Sequence, residues 1–140
     1  MTEKEGNLWQ ERADYLCVPT SGAVADDGSA IMDTPIAREA AKRFSGLEVD
    51  LGRLITARGK HVHLIRPGVL SFPIKQFQWS GPSVQVIERS ANELAALVGE
   101  AKTILPRPGC GPGELAWDEV AQALASLPDN VVVLRHLSSP

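Results

Sequence analysis

The spacing of apolar positions changes period several times along this chain, and each change marks a predicted element. "DYLCVP" (Asp14–Pro19) is a short apolar run that reads as a buried strand, followed by a Gly/Ala/Asp-rich loop through Ser29. From Thr34 the pattern turns helical: Thr34 is a capping residue, Pro35 suits the first helical position, and Ile36, Ala40, Ala41 and Phe44 form one face. Ser45-Gly46 ends that helix. A second, from Asp50 to Arg58, turns Leu51, Leu54 and Ile55 inward and stops at Gly59. "HVHLI" (His61–Ile65) alternates like a strand and would place His61 and His63 on one face; Arg66-Pro67-Gly68 then turns the chain into "VLSF" (Val69–Phe72). The longest predicted helix runs from Pro82, capped by Gly81, to Gly99, with Val84, Ile87, Ala91, Leu94 and Val98 at alternating three- and four-residue steps. A strand ending at Leu105, a glycine loop and a helix with Trp117, Val120, Leu124 and Leu127 on one side complete this part. Pro128-Asp129-Asn130 turns into "VVVL", a continuous apolar run typical of a strand covered on both faces. Strands alternating with helices predict an α/β layered fold.

Composition narrows the function classes. The chain has 140 residues, enough for one domain over residues 1–140, and its 44% apolar and 22% charged fractions are those of an ordinary globular protein. The net charge of −3 is a poor start for gripping a nucleic-acid backbone, where affinity comes mainly from neutralising phosphates. Cys17 and Cys110 stand apart, with no CxxC or CxxH spacing, so no structural zinc site and no cofactor is expected. Two unclustered thiols and a charged N-terminus without an apolar stretch predict a cytoplasmic protein with no membrane association.

The chemistry concentrates in "ILPRPGCGPGELAWDEV" (Ile104–Val120), where Gly109, Gly111 and Gly113 lie between a strand end and a helix start. Glycines let a backbone approach a ligand closely and turn its N–H groups toward an anion, and a helix N-terminus adds partial positive charge. The pattern is neither GxxxxGK[ST] nor GxGxxG, which excludes the two common nucleotide fingerprints. A tight turn is the alternative. Pro112 has no N–H to donate, and Glu114 brings a negative charge, so a phosphate here requires Glu114 to point away. Elsewhere, His61 and His63 lack a third metal ligand, and Asp26-Asp27-Gly28 lacks the length of a calcium loop. Cys110 has no histidine near it in sequence. Trp79 is a candidate for stacking on a base, whereas Trp117 fits the inward face of its helix.

"LPRPGCGPGELAW" resembles the phosphate-loop segment of macrodomains, the ADP-ribose-binding α/β/α modules. It is closest to the branch whose members reverse ADP-ribosylation of DNA bases and act as antitoxins. Pro106, Gly109, Cys110, Gly111, Gly113, Leu115 and Trp117 match that segment, while Glu114 replaces a glycine. "GNLWQERADYLCVPTSG" is similar to the family's opening strand, helix turn and second strand, "AIMDTPIAREAAKRF" to its loop-to-helix segment, and "LSFPIKQFQW" to its F-P-x-K-x-x-W segment. The resemblance spans about Gly6 to Leu134 and implies a three-layer α/β/α fold around a mixed sheet.

It also implies a ligand, ADP-ribose or a related nucleotide, and the residues to hold it. Asn7 takes the place of an aspartate that reads the adenine amino group, with Leu8 beside it. Pro19, Thr20, Ser21 and Gly22 form the ribose loop, with Ser21 where the family has an asparagine. Met32, Asp33, Thr34 and Ile36 belong to the second loop, whose glycine pair is replaced by Asp33-Thr34-Pro35. Arg107, Pro108, Gly109, Cys110, Gly111, Pro112, Gly113 and Leu115 form the phosphate loop. Lys75 falls on the catalytic lysine of the DNA-acting branch, which stabilises negative charge or forms a Schiff base with an opened sugar. Three functions follow: a binding module for ADP-ribose, a glycohydrolase acting on ADP-ribosylated nucleic acid or protein, or a degenerate domain that contacts a protein partner.

Overall fold

The computed structural model describes residues 1–137. Its single sheet contains β1 (Thr2–Gly6), β2 (Tyr15–Thr20), β3 (Leu64–Arg66), β4 (Val69–Pro73), β5 (Thr103–Pro106) and β6 (Val131–His136), in the order β1-β6-β5-β2-β4-β3. All pairs are parallel except the β3–β4 hairpin, so the sheet is mixed. The helices are α1 (Pro35–Arg43), α2 (Leu47–Arg58), α3 (Val84–Val98) and α4 (Trp117–Ala123).

Strand alternation sorts the side chains onto two faces. Cys17, Leu70, Phe72, Leu105, Val131 and Val133 point to the face covered by α3 and α4, where they meet Ile87, Leu94, Val120 and Leu124. Val18 and Val69 point the other way, against Ala37, Ala40, Leu47 and Leu51 of α1 and α2. The period of two thus produces the three layers. Burial pushes the Cys17 thiol far above its usual range, so it is a small core residue rather than a nucleophile.

Four boundaries differ from the sequence expectations. The opening strand β1 has no apolar signal, because at the sheet edge its side chains are exposed and charged; it is held by backbone pairing to β6. The strand expected at His61–Ile65 shrinks to β3, since side chains take the peptide N–H groups before it: Val62 donates to Glu93 Oε1 at 2.8 Å and His63 to Ser71 Oγ at 3.0 Å. His61 and His63 therefore do not share a strand face. Helix α2 starts at Leu47 rather than Asp50, because Gly46 in the left-handed region (φ 78°) redirects the chain at once. Helix α3 starts at Val84 under a Ser83 cap whose hydroxyl accepts from Val86 N–H, since Pro82 is held in a bridge to Lys75.

Candidate functional site

The parallel strands β2, β4, β5 and β6 end on one side of the sheet, the usual ligand side of an open α/β fold. A cleft of about 560 Å³ opens there. The glycine loop forms one wall, Thr34, Pro35 and Ile36 the other, and Pro19, Ile74 and His136 mark the strand ends beneath. A second cavity of about 440 Å³, between Trp9, Arg43 and Gly68, lies at the opposite strand ends and holds none of the loops described below.

The glycine loop is built for close approach. Gly109 has φ +72°, and a Cβ there would lie 2.9 Å from Pro82 Cβ and 3.0 Å from Ile87 Cδ1, so the loop packs directly on the start of α3. Gly109→Ala is expected to move the loop off α3 and to lower the melting temperature by several degrees, from a strained φ and an overpacked contact of about 1–3 kcal/mol. Differential scanning fluorimetry checks this; an unchanged melting curve would show that the loop is not seated on α3.

Glu114 does not point away. Its Oε1 accepts from Gly111 N–H at 3.2 Å, and its own N–H donates to Gly111 O at 3.0 Å. Leu115 N–H donates to Gly109 O at 2.9 Å. The N–H groups of Gly109, Cys110 and Gly113 have no acceptor among the described residues. The expected helix contribution is absent from the loop: α4 begins only at Trp117, and Asp118 and Glu119 in its first turn already neutralise the partial positive charge of its N-terminus. Cys110 lines the cleft with a thiol pushed up mainly by burial, which suits a loop residue rather than a nucleophile.

The ribose loop departs from its expected role. Ser21 is fully buried, and its hydroxyl is committed locally, accepting from Ala23 N–H at 3.3 Å and donating to Ile31 O at 3.4 Å. Ser21 therefore does not face the cleft as a replacement for an amide. Thr20 is buried with its hydroxyl unpartnered among the described residues. Gly22 (φ +79°) lies under the Lys60 side chain, whose carbons come within 2.6–2.9 Å of an added Cβ. Lys60 is a residue that sequence reasoning missed. Its ammonium donates to Lys75 O at 2.9 Å and to Gln76 O, tying the ribose loop to the chain after β4. Burial, with the charge of Arg89 second, lowers its pKa.

Lys75 follows β4 at the same sheet end, but its ammonium makes no ion pair among the described residues and does not line the cleft. In the second loop, Thr34 caps α1 and donates to Pro19 O at 2.8 Å, joining the two loops; Asp33 O accepts from the Arg38 guanidinium, and Asp33 Oδ1 is buried without a partner among the described residues. Met32 packs against the α1–α2 core instead of the cleft, and Leu8 is buried beside Ile104 and Leu134. Asn7 Oδ1 accepts from Trp9 N–H at 2.9 Å, so this oxygen caps a short turn (Leu8–Gln10) rather than standing free for an amino group. Pro108 is buried behind the loop, and Arg107 lies in the cleft with its guanidinium 4.2 Å over the Trp117 ring.

The weaker candidates resolve as structural features. His63 is buried with Nε2 2.8 Å from Gly59 O, and His61 pairs with Glu93 at 2.9 Å. No group of three His, Cys, Asp or Glu side chains able to hold a metal occurs among the described residues. Asp27 closes a polar turn through Ser29, whose two hydrogen bonds lower its pKa. Trp79 is 81% exposed and stacks on Phe77 at 4.9 Å, outside the cleft.

The fold recurs in solved structures. The macrodomain of Thermus aquaticus DarG superposes with a TM-score of 0.72 over 98% of this chain and 97% of its own, at 20% identity. The chain has the macrodomain fold. The macrodomain of Mycobacterium tuberculosis DarG gives the same TM-score at 19% identity, covering 94% of each chain. Thermosipho africanus DarTG, solved in complex with ADP-ribose, gives 0.68 at 17% identity, covering 96% of this chain and 41% of its own. No family model and no curated protein matches the sequence. In this chain the glycine loop carries its own carboxylate on Gly111 N–H, and the Lys60 side chain lies across Gly22. Among the described residues, no helix is long and apolar enough to cross a membrane.

Proposed function

We propose that this macrodomain-fold protein binds ADP-ribose or a related nucleotide diphosphate in the cleft at the strand ends. The observation that carries the reading is a glycine loop in the wall of a cleft of about 560 Å³ whose Gly109, Cys110 and Gly113 N–H groups have no acceptor among the described residues. Such backbone donors suit a phosphate oxygen, which must displace the Glu114 carboxylate to use Gly111 N–H as well. The cleft volume falls within the range of about 300–1,000 Å³ typical of small-ligand sites. The ADP-ribose complex of a structural neighbour supports the same ligand class. An ADP-ribosylated nucleic acid or protein would present the same group.

Turnover is not part of this reading. Ser21 is buried away from the cleft and the Lys75 ammonium does not line it, while glycosidic chemistry needs reacting groups positioned to fractions of an ångström.

Calorimetric titration of the purified protein with ADP-ribose tests the proposal. Measurable heat is expected, together with a rise in melting temperature that grows with ligand concentration; saturation at a hundred times Kd would add about 2.7 kcal/mol. Absence of both at millimolar ligand, in the wild type and in Glu114→Gly alike, would end the proposal.

A further inference from the structure

Lys60 follows the Gly59 stop of α2 and does not line the cleft, yet three segments that surround the cleft meet on it. Its ammonium donates to Lys75 O at 2.9 Å and to Gln76 O, its stem lies across Gly22, and its own carbonyl accepts from the Arg89 guanidinium at 3.1 Å. Two successive carbonyls aimed at one point repel each other unless a cation lies between them, and an ammonium with three donors suits that place. Lys75 and Gln76 begin a closed loop. Lys75 pairs with Pro82 in an antiparallel bridge, and Ser83 N–H donates to Ile74 O at 2.8 Å. Across the tip, Ser80 Oγ accepts from Phe77 N–H at 3.1 Å and donates to Phe77 O at 2.8 Å. Both ends of this loop reach the cleft. Ile74 lines it, and Pro82 abuts the glycine loop, since a Cβ on Gly109 would lie 2.9 Å from Pro82 Cβ.

We infer that Lys60 is a positioning residue for the cleft: its ammonium holds the base of the 75–82 loop closed, and through Pro82 that base holds the glycine loop in the shape whose N–H groups meet an anion. This rests on the binding proposed above and names a control on it that touches no ligand. Every step of the path is a contact: Lys60 to Lys75 and Gln76, Lys75 across the bridge to Pro82, and Pro82 to Gly109. Gly109 sets the course of the glycine loop. It has φ +72°, and its carbonyl accepts from Leu115 N–H at 2.9 Å, which closes the loop around Cys110 and Gly111. Without the ammonium, the two carbonyls turn to water, the bridge loosens and Gly109 loses part of the surface that holds it. Main-chain donors bind an anion well only when they are held in place beforehand. Lys75 enters this arrangement through its carbonyl, not its ammonium.

Two variants separate this role from a merely structural one. Lys60→Met removes the ammonium and keeps most of the stem across Gly22; Lys60→Arg restores charged donors for the two carbonyls. Calorimetry with ADP-ribose and with pyrophosphate reads affinity, and hydrogen exchange at Leu115 N–H reads the glycine loop without ligand. Melting curves establish that each variant is folded at the temperature of measurement. Affinity for both ligands is expected to fall about ten-fold in Lys60→Met, the scale of one lost charge-assisted hydrogen bond. Exchange at Leu115 N–H is expected to quicken in Lys60→Met, and Lys60→Arg to restore both properties. Unchanged affinity or unchanged exchange in Lys60→Met overturns the inference. Equal losses in Lys60→Met and Lys60→Arg overturn it too, because any change at the position would then suffice. If Lys60→Met does not fold, Lys60→Gln, which keeps an amide donor without the charge, is judged by the same outcomes. If none of these proteins binds, wild type and Glu114→Gly included, the binding proposal has failed instead, and exchange at Leu115 N–H alone decides whether Lys60 holds the loop.

Discussion

Replacing Glu114 with glycine is expected to tighten ADP-ribose binding about ten-fold. In the free protein the Glu114 carboxylate occupies Gly111 N–H at 3.2 Å, so an incoming phosphate must displace one anion and then sit beside it. A hydrogen bond to a charged group contributes about 1.5–3 kcal/mol, and each 1.4 kcal/mol is ten-fold in affinity. Removing the carboxylate removes both the competition and the like-charge repulsion. Glu114→Gln keeps an acceptor and loses the charge, and its affinity should fall between the two. Calorimetry of the three proteins with ADP-ribose and with pyrophosphate checks the order; equal affinities would show that the ligand phosphates lie elsewhere. The glycine itself costs about 0.5–1 kcal/mol of backbone entropy, so the variant should melt slightly earlier without ligand.

Gly52→Ala is expected to destabilise the fold by about 3 kcal/mol or more. An added Cβ would lie 2.0 Å from Gly28 O and 2.9 Å from both Ala30 N and Ser29 Cα, all backbone-borne atoms that no rotamer change can move. The loop cannot retreat freely, because Ala30 N–H donates to Glu48 O at 2.8 Å and Ala25 and Ser29 are bonded across the same turn. Ordinary overpacking costs about 1–3 kcal/mol, and a clash with fixed backbone exceeds it. At this chain length the drop in melting temperature is on the order of 10 °C. Gly81→Ala is the control, since nothing lies within 4 Å of its added Cβ, and its melting curve should match the wild type. Equal curves for Gly52→Ala and Gly81→Ala would refute the packing of α2 on this loop. The consequence reaches the site, because the same loop leads through Met32 and Asp33 into the cleft wall at Thr34.

Much of the fold was legible along the chain because burial is periodic. The apolar run 14–19 became β2, Thr34-Pro35 capped α1 as the residue types require, and "VVVL" became a strand buried between two helical layers. Failures occurred where local pattern carries no tertiary information. An edge strand such as β1 needs only backbone partners, so its charged sequence resembles a solvated tail. The His61–Ile65 alternation was real, but Glu93 and Ser71, distant in sequence, took the N–H groups that a strand ladder needs.

The site divides along the same line. Local backbone needs are written in residue types: the glycine loop lies between β5 and α4 as expected, Thr34 caps α1, and the expected helix stops Gly46, Gly59 and Gly99 have positive φ, where other residues are strained. Side-chain commitments depend on partners brought near only by folding. Only the folded chain showed Glu114 turned onto Gly111, Ser21 facing its own loop, Lys60 lying across Gly22, and His136 and Arg107 left with donors unpaired. A hydrogen bond depends on distance and angle between groups that can be far apart in the chain, 128 residues for Leu8 and His136, and spacing along a chain does not encode that.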